Sequence, residues 1–483
     1  MKEKDYSKYF KTPSVKQARK RSFTEATKEH YAVPLHLKGI AKGKHYKIQT
    51  YGCQANEADS ENIKGILETL GYSETEDEAM ADFILLNTCA IRENAENRVF
   101  GELGRLKKHK RHNPDMLLGI SGCMPQEEKV VNKLLKSYPY VDLVFGTHNI
   151  DKLPTYIETA LFNKERVVEV FSEEGRVVEN MPRKRNHPYK AWVNIMYGCD
   201  EFCTYCIVPY TRGTERSRAP EDIIEEVKEL KEEGYKEVTL LGQNVNAYGR
   251  DFKETPYSFA NLLEELALTG IDRIRFQTSH PNDFDEASVE VIGKYDNLMP
   301  HIHLPVQSGS DEVLKRMNRK YTKKRIFDLV EQMRTHIPGV SITTDLIVGF
   351  PGESEAHFEE TLDMVKQVGF EGAFTFIFSP REGTPAASYE DPTPMEEKRK
   401  RLARLNEIIN QGFAEGHKRF EGETVNVLIE GESKNDPDVL AGYSEHFKVV
   451  NVRGEKSLIG SIVPVKVTNA KTWFLEGEVI ENT

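Results

Sequence analysis

All six cysteines of this 483-residue chain lie between positions 53 and 206. Three of them fall in one short run, Cys199-Asp200-Glu201-Phe202-Cys203-Thr204-Tyr205-Cys206. Thiolates at spacings of four and three cannot all bridge one another, but a loop can wrap them around a single metal cluster. A 4Fe-4S cube takes four ligands, so three protein thiolates leave one iron open to a small molecule. A zinc loop with a distant fourth ligand, or buried structural thiols, is the alternative. The other three cysteines share a local pattern: Thr50-Tyr51-Gly52-Cys53-Gln54-Ala55-Asn56, Asn87-Thr88-Cys89-Ala90-Ile91-Arg92 and Ser121-Gly122-Cys123-Met124-Pro125. Each follows a strand-like run and precedes a helical one. The ends of neighbouring parallel strands lie on one sheet edge, so three such thiols can converge there. Three identical placements favour a second three-thiolate cluster over buried small side chains.

The elements that must position these residues follow from periodicity. From position 45 the chain alternates an extended run (45–51), a helical pattern (57–70), an apolar run (82–87), a helix (92–110) and further runs at 116–121 and 140–145, closed by a helix at 150–161. Alternation at this spacing predicts a small parallel α/β sheet. A charged, proline-bounded stretch at 171–188 reads as part of a linker. A second series has strand-like runs at 192–196, 237–241, 273–277, 301–306, 341–348 and 373–378, and predicts a complete or partial βα barrel closed by a long helix at 395–419. Runs at 424–430, 447–452, 462–468 and 473–479, with no helix between them, predict a small all-β barrel. The fold class is thus α/β with a C-terminal all-β module. The expected domains are a flexible basic tail (1–44), an N-terminal domain (45–165), a linker (166–188), a central barrel (189–419) and a terminal barrel (420–483). In a βα barrel the strand C-termini form the working face. Gly242, Gln243 and Asn244, then Gln307, Ser308, Gly309 and Ser310, then Gly349 to Glu353, follow three of these strands and read together as a cofactor pocket.

Composition sets the outer bounds. The hydrophobic share is 38%, no window approaches the roughly twenty apolar residues of a membrane span, and the N-terminal residues are polar rather than a signal peptide, so a cytoplasmic protein with reduced thiols and no membrane partner is expected. The net charge of −11 argues against nucleic acid, but its distribution does not: residues 1–47 carry thirteen Lys and Arg against four acids, and basic clusters recur at 105–112, 183–190, 315–325 and 398–404.

The CxxxCxxC spacing at the head of a βα barrel resembles the radical S-adenosylmethionine superfamily. Gly52-Cys53-Gln54-Ala55-Asn56, Asn87 to Glu93, and Tyr197-Gly198-Cys199 through Val208-Pro209-Tyr210-Thr211-Arg212-Gly213, with Glu215-Arg216-Ser217-Arg218, resemble the methylthiotransferases of the MiaB type over about residues 45–480. The resemblance implies two 4Fe-4S clusters, an auxiliary one on Cys53, Cys89 and Cys123 and a radical-generating one on Cys199, Cys203 and Cys206. S-adenosylmethionine would sit with Tyr205 and the strand-end residues Gly242, Gln243, Asn244, Gln307, Ser308, Gly349 and Glu353. It further implies conversion of N6-isopentenyladenosine at tRNA position 37 to its 2-methylthio derivative. One S-adenosylmethionine would give the methyl and a second the radical. The partners implied are the tRNA anticodon loop, an electron donor and a sulfur source; the chain is expected to act as a monomer. A C-terminal TRAM barrel, 421–481, would grip RNA through Lys434, Lys448, Arg453, Lys456, Lys466 and Lys471, although Gly442-Tyr443-Ser444-Glu445 stands where relatives carry Arg and Thr. The competing readings are a methylthiotransferase acting on a ribosomal-protein aspartate or on threonylcarbamoyl adenosine, and a non-catalytic RNA-binding protein with structural zinc.

Overall fold

A computed structural model describes residues 27–90, 93–170, 176–253, 256–434 and 436–480. The first part of the basic tail, Ile91 and Arg92 of the second cysteine motif, and residues 171–175 of the linker lie outside the described residues. The chain divides into two compact units: Met1–Asn186 with Met196–Phe202 and Cys206–Arg218, and His187–Ile195 with Cys203–Tyr205 and Ala219–Thr483. Among the described residues no helix is long and apolar enough to cross a membrane.

The first unit is built on a six-stranded parallel sheet whose centre is the Phe83–Thr88 strand, flanked by His45–Tyr51 and Leu117–Gly122. Alternate residues of these strands point to opposite faces. Phe83 and Leu85 pack with Ile63, Ile66 and Leu67 of the Gln54–Thr69 helix, whereas Ile84 and Leu86 pack with Val99, Leu103 and Leu106 of the Glu93–His112 helix. Helices on both faces explain why these strands read as continuous apolar runs. Each such Leu or Ile contributes about 1.5–3 kcal/mol by leaving water. The segment read as a tail enters this unit well before position 45: Thr27–His30 pairs in parallel with Arg176–Glu179, and Leu37 and Ala41 are buried in the core. Both partner strands are only four residues long, and Thr27–His30 has no apolar residue, so neither gives a periodic signal.

In the second unit Lys190–Asn194, Glu237–Leu241 and Arg273–Phe276 form one parallel sheet, and His301–His303, Ser341–Val348 and Ala373–Ile377 form another. A parallel bridge between Ile274 and Leu298 continues the first run towards the second. The Met395–Lys418 helix packs on the last two strands. The C-terminal module is a closed five-stranded barrel rather than four strands. The additional strand, Asp436–Ser444, contains two Asp, Pro, Gly and Ser, a composition that reads as turn; barrel closure between Thr424–Ser433 and Val449–Arg453 overrides it.

Candidate metal centre and cofactor face

The register of the first sheet aligns Tyr51 with Thr88 and Thr88 with Gly122. Cys53, Cys89 and Cys123 follow these residues by two, one and one positions, on three adjacent strands about 4.8 Å apart. A polar network locks the strand ends. Asn56 Nδ2 donates to Asn87 Oδ1 and to the Thr88 carbonyl, both at 3.3 Å. Asn87 Nδ2 donates to the Asn56 carbonyl and to Ser60 Oγ, both at 2.8 Å. Thr88 Oγ1 donates to the Ser121 carbonyl at 2.7 Å, and the Cys123 N–H to the Thr88 carbonyl at 2.8 Å. Gly122 is required here: its φ is +101° and an added Cβ would fall on the Thr88 carbonyl oxygen.

Cys53 is the N-cap of the Gln54–Thr69 helix, and its N–H donates to Asn56 Oδ1 at 3.4 Å. A hydrogen bond from Cys89, outweighing burial and helped by Arg212, holds the Cys53 thiol down at about 5. Burial pushes the Cys123 thiol up, although Arg212 works against this. Arg212 Nε donates to Cys123 Sγ at 3.3 Å, while its Nη2 bonds the Asp59 carboxylate at 2.7 Å. Burial opposes the Arg212 charge, but Asp59 and the two sulfurs outweigh it. None of the six cysteines is joined in a disulfide. Three converging thiols with a cationic donor against one of them suit a thiolate-held cluster.

The second cysteine group occupies a loop closed at its base by Met196–Tyr197 pairing antiparallel with Arg216–Ser217. In the first unit the Cys199 N–H donates to the Gly213 carbonyl at 3.1 Å, and Asp200 and Glu215 exchange backbone-to-carboxylate bonds at 3.1 and 3.2 Å. Gly198, φ +78°, cannot carry a Cβ without meeting the Thr214 carbonyl. In the second unit, Cys203 Sγ accepts from Arg319 Nη1 at 3.2 Å. Arg319 is anchored by the Tyr321 hydroxyl and the Pro305 carbonyl, both at 2.7 Å. Thr204 is held through the Met317 and Arg316 carbonyls at 2.9 Å, and Tyr205 meets the Phe350 ring edge-on at 6.4 Å. Three thiols in one loop, with a part-buried guanidinium against one of them, again suit a cluster with iron open to a ligand.

The residues read as a cofactor face do stand at strand C-termini, but they divide by task. Asn244 is buried and donates to Asp283 at 2.5 Å, and among the described residues its Oδ1 has no hydrogen-bond partner. Gly242 and Gln243 follow the Glu237–Leu241 strand beside it. Gln307 takes φ +67° and bridges to Leu346. Ser308, by contrast, serves the loop itself: its hydroxyl bonds Thr361 at 3.3 Å and accepts from the Ser310 N–H at 3.2 Å. Glu353 accepts from the Gly349 N–H at 2.7 Å and from Arg401 at 2.9 Å, fixing the turn after Ser341–Val348. Sequence reasoning missed Arg212, Asp59 and Arg319 as neighbours of the thiols. Arg212 lies in a quoted motif and Arg319 in a basic cluster, but nothing in either pattern distinguishes a buried guanidinium from a solvated one.

The terminal barrel's cations also divide. Lys448 is buried and paired with Glu371 at 2.8 Å, so it cannot reach RNA phosphates. Lys456 pairs with Glu432 at 2.5 Å, while Arg453 and Lys466 are exposed. The Tyr443 to Glu445 stretch faces Arg273 and Arg275, whose guanidinium groups donate to the carbonyls of Tyr443, Ser444 and Glu445 at 2.7–3.0 Å. Here it serves docking within the unit.

Comparison with known proteins agrees with this geometry. Residues 193–365 match the Radical SAM superfamily, 45–146 the uncharacterized protein family UPF0004, and 418–480 the TRAM domain. The fold is similar to that of the radical S-adenosylmethionine methyltransferase TsrM from Kitasatospora setae, with a TM-score of 0.54 and 14% identity over 71% of this chain and 75% of that one. The chain is 58% identical to a tRNA-2-methylthio-N(6)-dimethylallyladenosine synthase of Anoxybacillus flavithermus, over 99% of this chain and 92% of the relative. It is 57% identical to the enzyme of that name from Bacillus subtilis, over 99% and 95% respectively. Identity of this order over the whole length, on top of one cysteine triad at adjacent strand ends and another in a single loop, makes the chain a member of the tRNA-2-methylthio-N(6)-dimethylallyladenosine synthase family of radical S-adenosylmethionine methylthiotransferases.

Proposed function

We propose that the chain converts N6-isopentenyladenosine at position 37 of tRNA to its 2-methylthio derivative. Cys199, Cys203 and Cys206 hold a 4Fe-4S cluster, and Cys53, Cys89 and Cys123 hold a second, auxiliary one. When bound, these groups supply one-electron cleavage of S-adenosylmethionine, hydrogen abstraction from adenine carbon 2, and transfer of a sulfur methylated by a further S-adenosylmethionine. The observation that carries the reading is the auxiliary triad: three thiols on adjacent strand ends, one of them bonded by the buried Arg212–Asp59 pair.

The protein's own task is positional. Arg212 holds Cys123 and Arg319 holds Cys203, so each triad has one sulfur fixed by a guanidinium. Asn244, whose buried acceptor has no hydrogen-bond partner among the described residues, shapes the strand-end face together with Gln307 and the Gly349 turn. An anticodon-loop base is single-stranded and can be splayed into a pocket without opening a helix. Within this reading, residues 45–165 form the auxiliary-cluster domain, 189–419 the radical domain and 420–483 the TRAM domain; 166–188 is the linker between the first two, and 1–44 is an N-terminal segment, part of which packs into the first unit. An electron donor and a sulfur source complete the reaction, and the chain works as a cytoplasmic monomer. The test is mass spectrometry of nucleosides from prenylated tRNA incubated anaerobically with reconstituted protein, reductant and S-adenosylmethionine. The 2-methylthio nucleoside is the expected product; its absence with both clusters loaded overturns the reading.

A further inference from the structure

On the Ser341–Val348 strand, Ile342, Thr344, Leu346 and Val348 are buried, and Thr375 of the neighbouring strand bonds Asn406 of the Met395–Lys418 helix at 2.6 Å. That side of the sheet is the helix-covered one. Thr343, Asp345 and Ile347 point to the opposite side. The register sets Asp345 beside Phe374 and Ile347 beside Phe376. His303 joins this face: its Nδ1 is 3.0 Å from Thr343 Oγ1, its Nε2 is 3.4 Å from Asp345, and its ring meets Phe374 edge-on at 6.0 Å. Phe374 is nevertheless 63% exposed and Phe376 41%. Both rings stand bare on a strand that, among the described residues, pairs only with Ser341–Val348.

Two features fix what could cover them. The backbone of Asp345 and Ile347 is tied to Gln307, by the Gln307 N–H to the Asp345 carbonyl at 2.8 Å and the Ile347 N–H to the Gln307 carbonyl at 2.9 Å. The two rings therefore lie two strand spacings, about 9.6 Å, from Gln307 at the cofactor end. The far end of the face is closed: Phe447 stacks on His301 at 4.9 Å, Tyr443 on Phe447 at 4.8 Å, and Arg275 lies over Phe447 at 5.2 Å. A phosphate would meet the Asp345 carboxylate, whereas an apolar group with one N–H would meet two rings and an acceptor.

We infer that Phe374 and Phe376, edged by Asp345 and His303, form the subsite for the N6-dimethylallyl group of the target adenosine. The rings take the five-carbon chain, and Asp345 faces the single remaining N6 hydrogen. This deepens the proposed reaction and rests on it. It makes Phe374 and Phe376 the residues that distinguish a prenylated adenosine from a plain one.

The test uses two anticodon stem-loop RNAs, one with N6-isopentenyladenosine and one with adenosine, binding to reconstituted full-length protein. Wild type should bind the prenylated RNA about tenfold more tightly. The Phe374→Ala, Phe376→Ala double variant should bind both RNAs equally, at the wild-type affinity for the plain one, with iron content and circular dichroism unchanged. The Phe374→Leu, Phe376→Leu variant should keep the preference, because Leu restores an apolar surface. A preference retained by the Ala variant, an equal loss for both RNAs, or no preference in wild type each overturns the inference. A wild-type protein that prefers the prenylated RNA but yields no methylthio product contradicts the proposed reaction instead.

Discussion

Cys53, Cys89 and Cys123 are far apart in sequence and are assembled by three parallel strands, whereas Cys199, Cys203 and Cys206 share one loop. The first group depends on a register and on the Asn56–Asn87 network that locks it; the second depends on a hairpin base and a few backbone bonds. A second difference lies in charge. Arg212, against Cys123, is neutralised by Asp59, while Arg319, against Cys203, is anchored by the neutral Tyr321 hydroxyl and Pro305 carbonyl. Net charge and hydrogen bonds to sulfur set the potential of an iron–sulfur centre. At the first sulfur-binding group a carboxylate therefore balances the cation, whereas at the second, among the described residues, no ion pair joins Arg319 to a carboxylate.

The comparison is broken most severely by removing one group. Changing Cys199, Cys203 and Cys206 to Ala should lower reconstituted iron from about eight to about four per chain and abolish 5′-deoxyadenosine formation. Cofactor cleavage by that variant would refute the assignment of roles. A smaller but still local effect is expected from Gly122→Val, which sets a side chain against the Thr88 carbonyl at φ +101°. It should destabilise the N-terminal unit by about 2–4 kcal/mol and empty the auxiliary site, while iron bound by the loop cysteines persists. Equal iron loss from both sites would show that the two groups are not independently built.

Charge effects come next. Arg319→Gln removes the positive charge beside Cys203 and should lower the midpoint potential of the loop cluster. Asp59→Asn exposes the Arg212 charge and should raise that of the auxiliary cluster. Redox titration followed by electron paramagnetic resonance reads both, and shifts of the opposite sign would show that the neighbouring charge does not govern the potentials. The smallest effect concerns RNA. Arg453→Ala and Lys466→Ala should each reduce the salt slope of tRNA binding by about 0.7–0.9, whereas Lys456→Ala, whose cation is already paired with Glu432, should change it less. Equal slopes for all three variants would remove the terminal barrel from the RNA site.

The cysteines were legible because their spacing and their position after apolar runs are local signals. The N-terminal parallel sheet was legible because burial on both faces leaves continuous apolar runs at 83–88 and 117–122. What was not legible depends on partners distant in sequence. The Asp436–Ser444 strand is made by closure of a barrel, and Thr27–His30 by a partner at Arg176–Glu179. Arg212, Arg319 and Lys448 sit among other cations, and only folding shows that each is held against a sulfur or a carboxylate. Ser308 and Glu353 were correctly placed at strand ends, yet their side chains serve Thr361 and Arg401.

The division of labour between the two triads is tested most directly by the Cys53→Ala, Cys89→Ala, Cys123→Ala variant. It is incubated with prenylated tRNA, reductant and S-adenosylmethionine, and 5′-deoxyadenosine and the 2-methylthio nucleoside are quantified in one sample. The expected result is continued 5′-deoxyadenosine formation with no methylthio product. Methylthio product at the wild-type level would contradict the account, because the three strand-end cysteines would then be structural only.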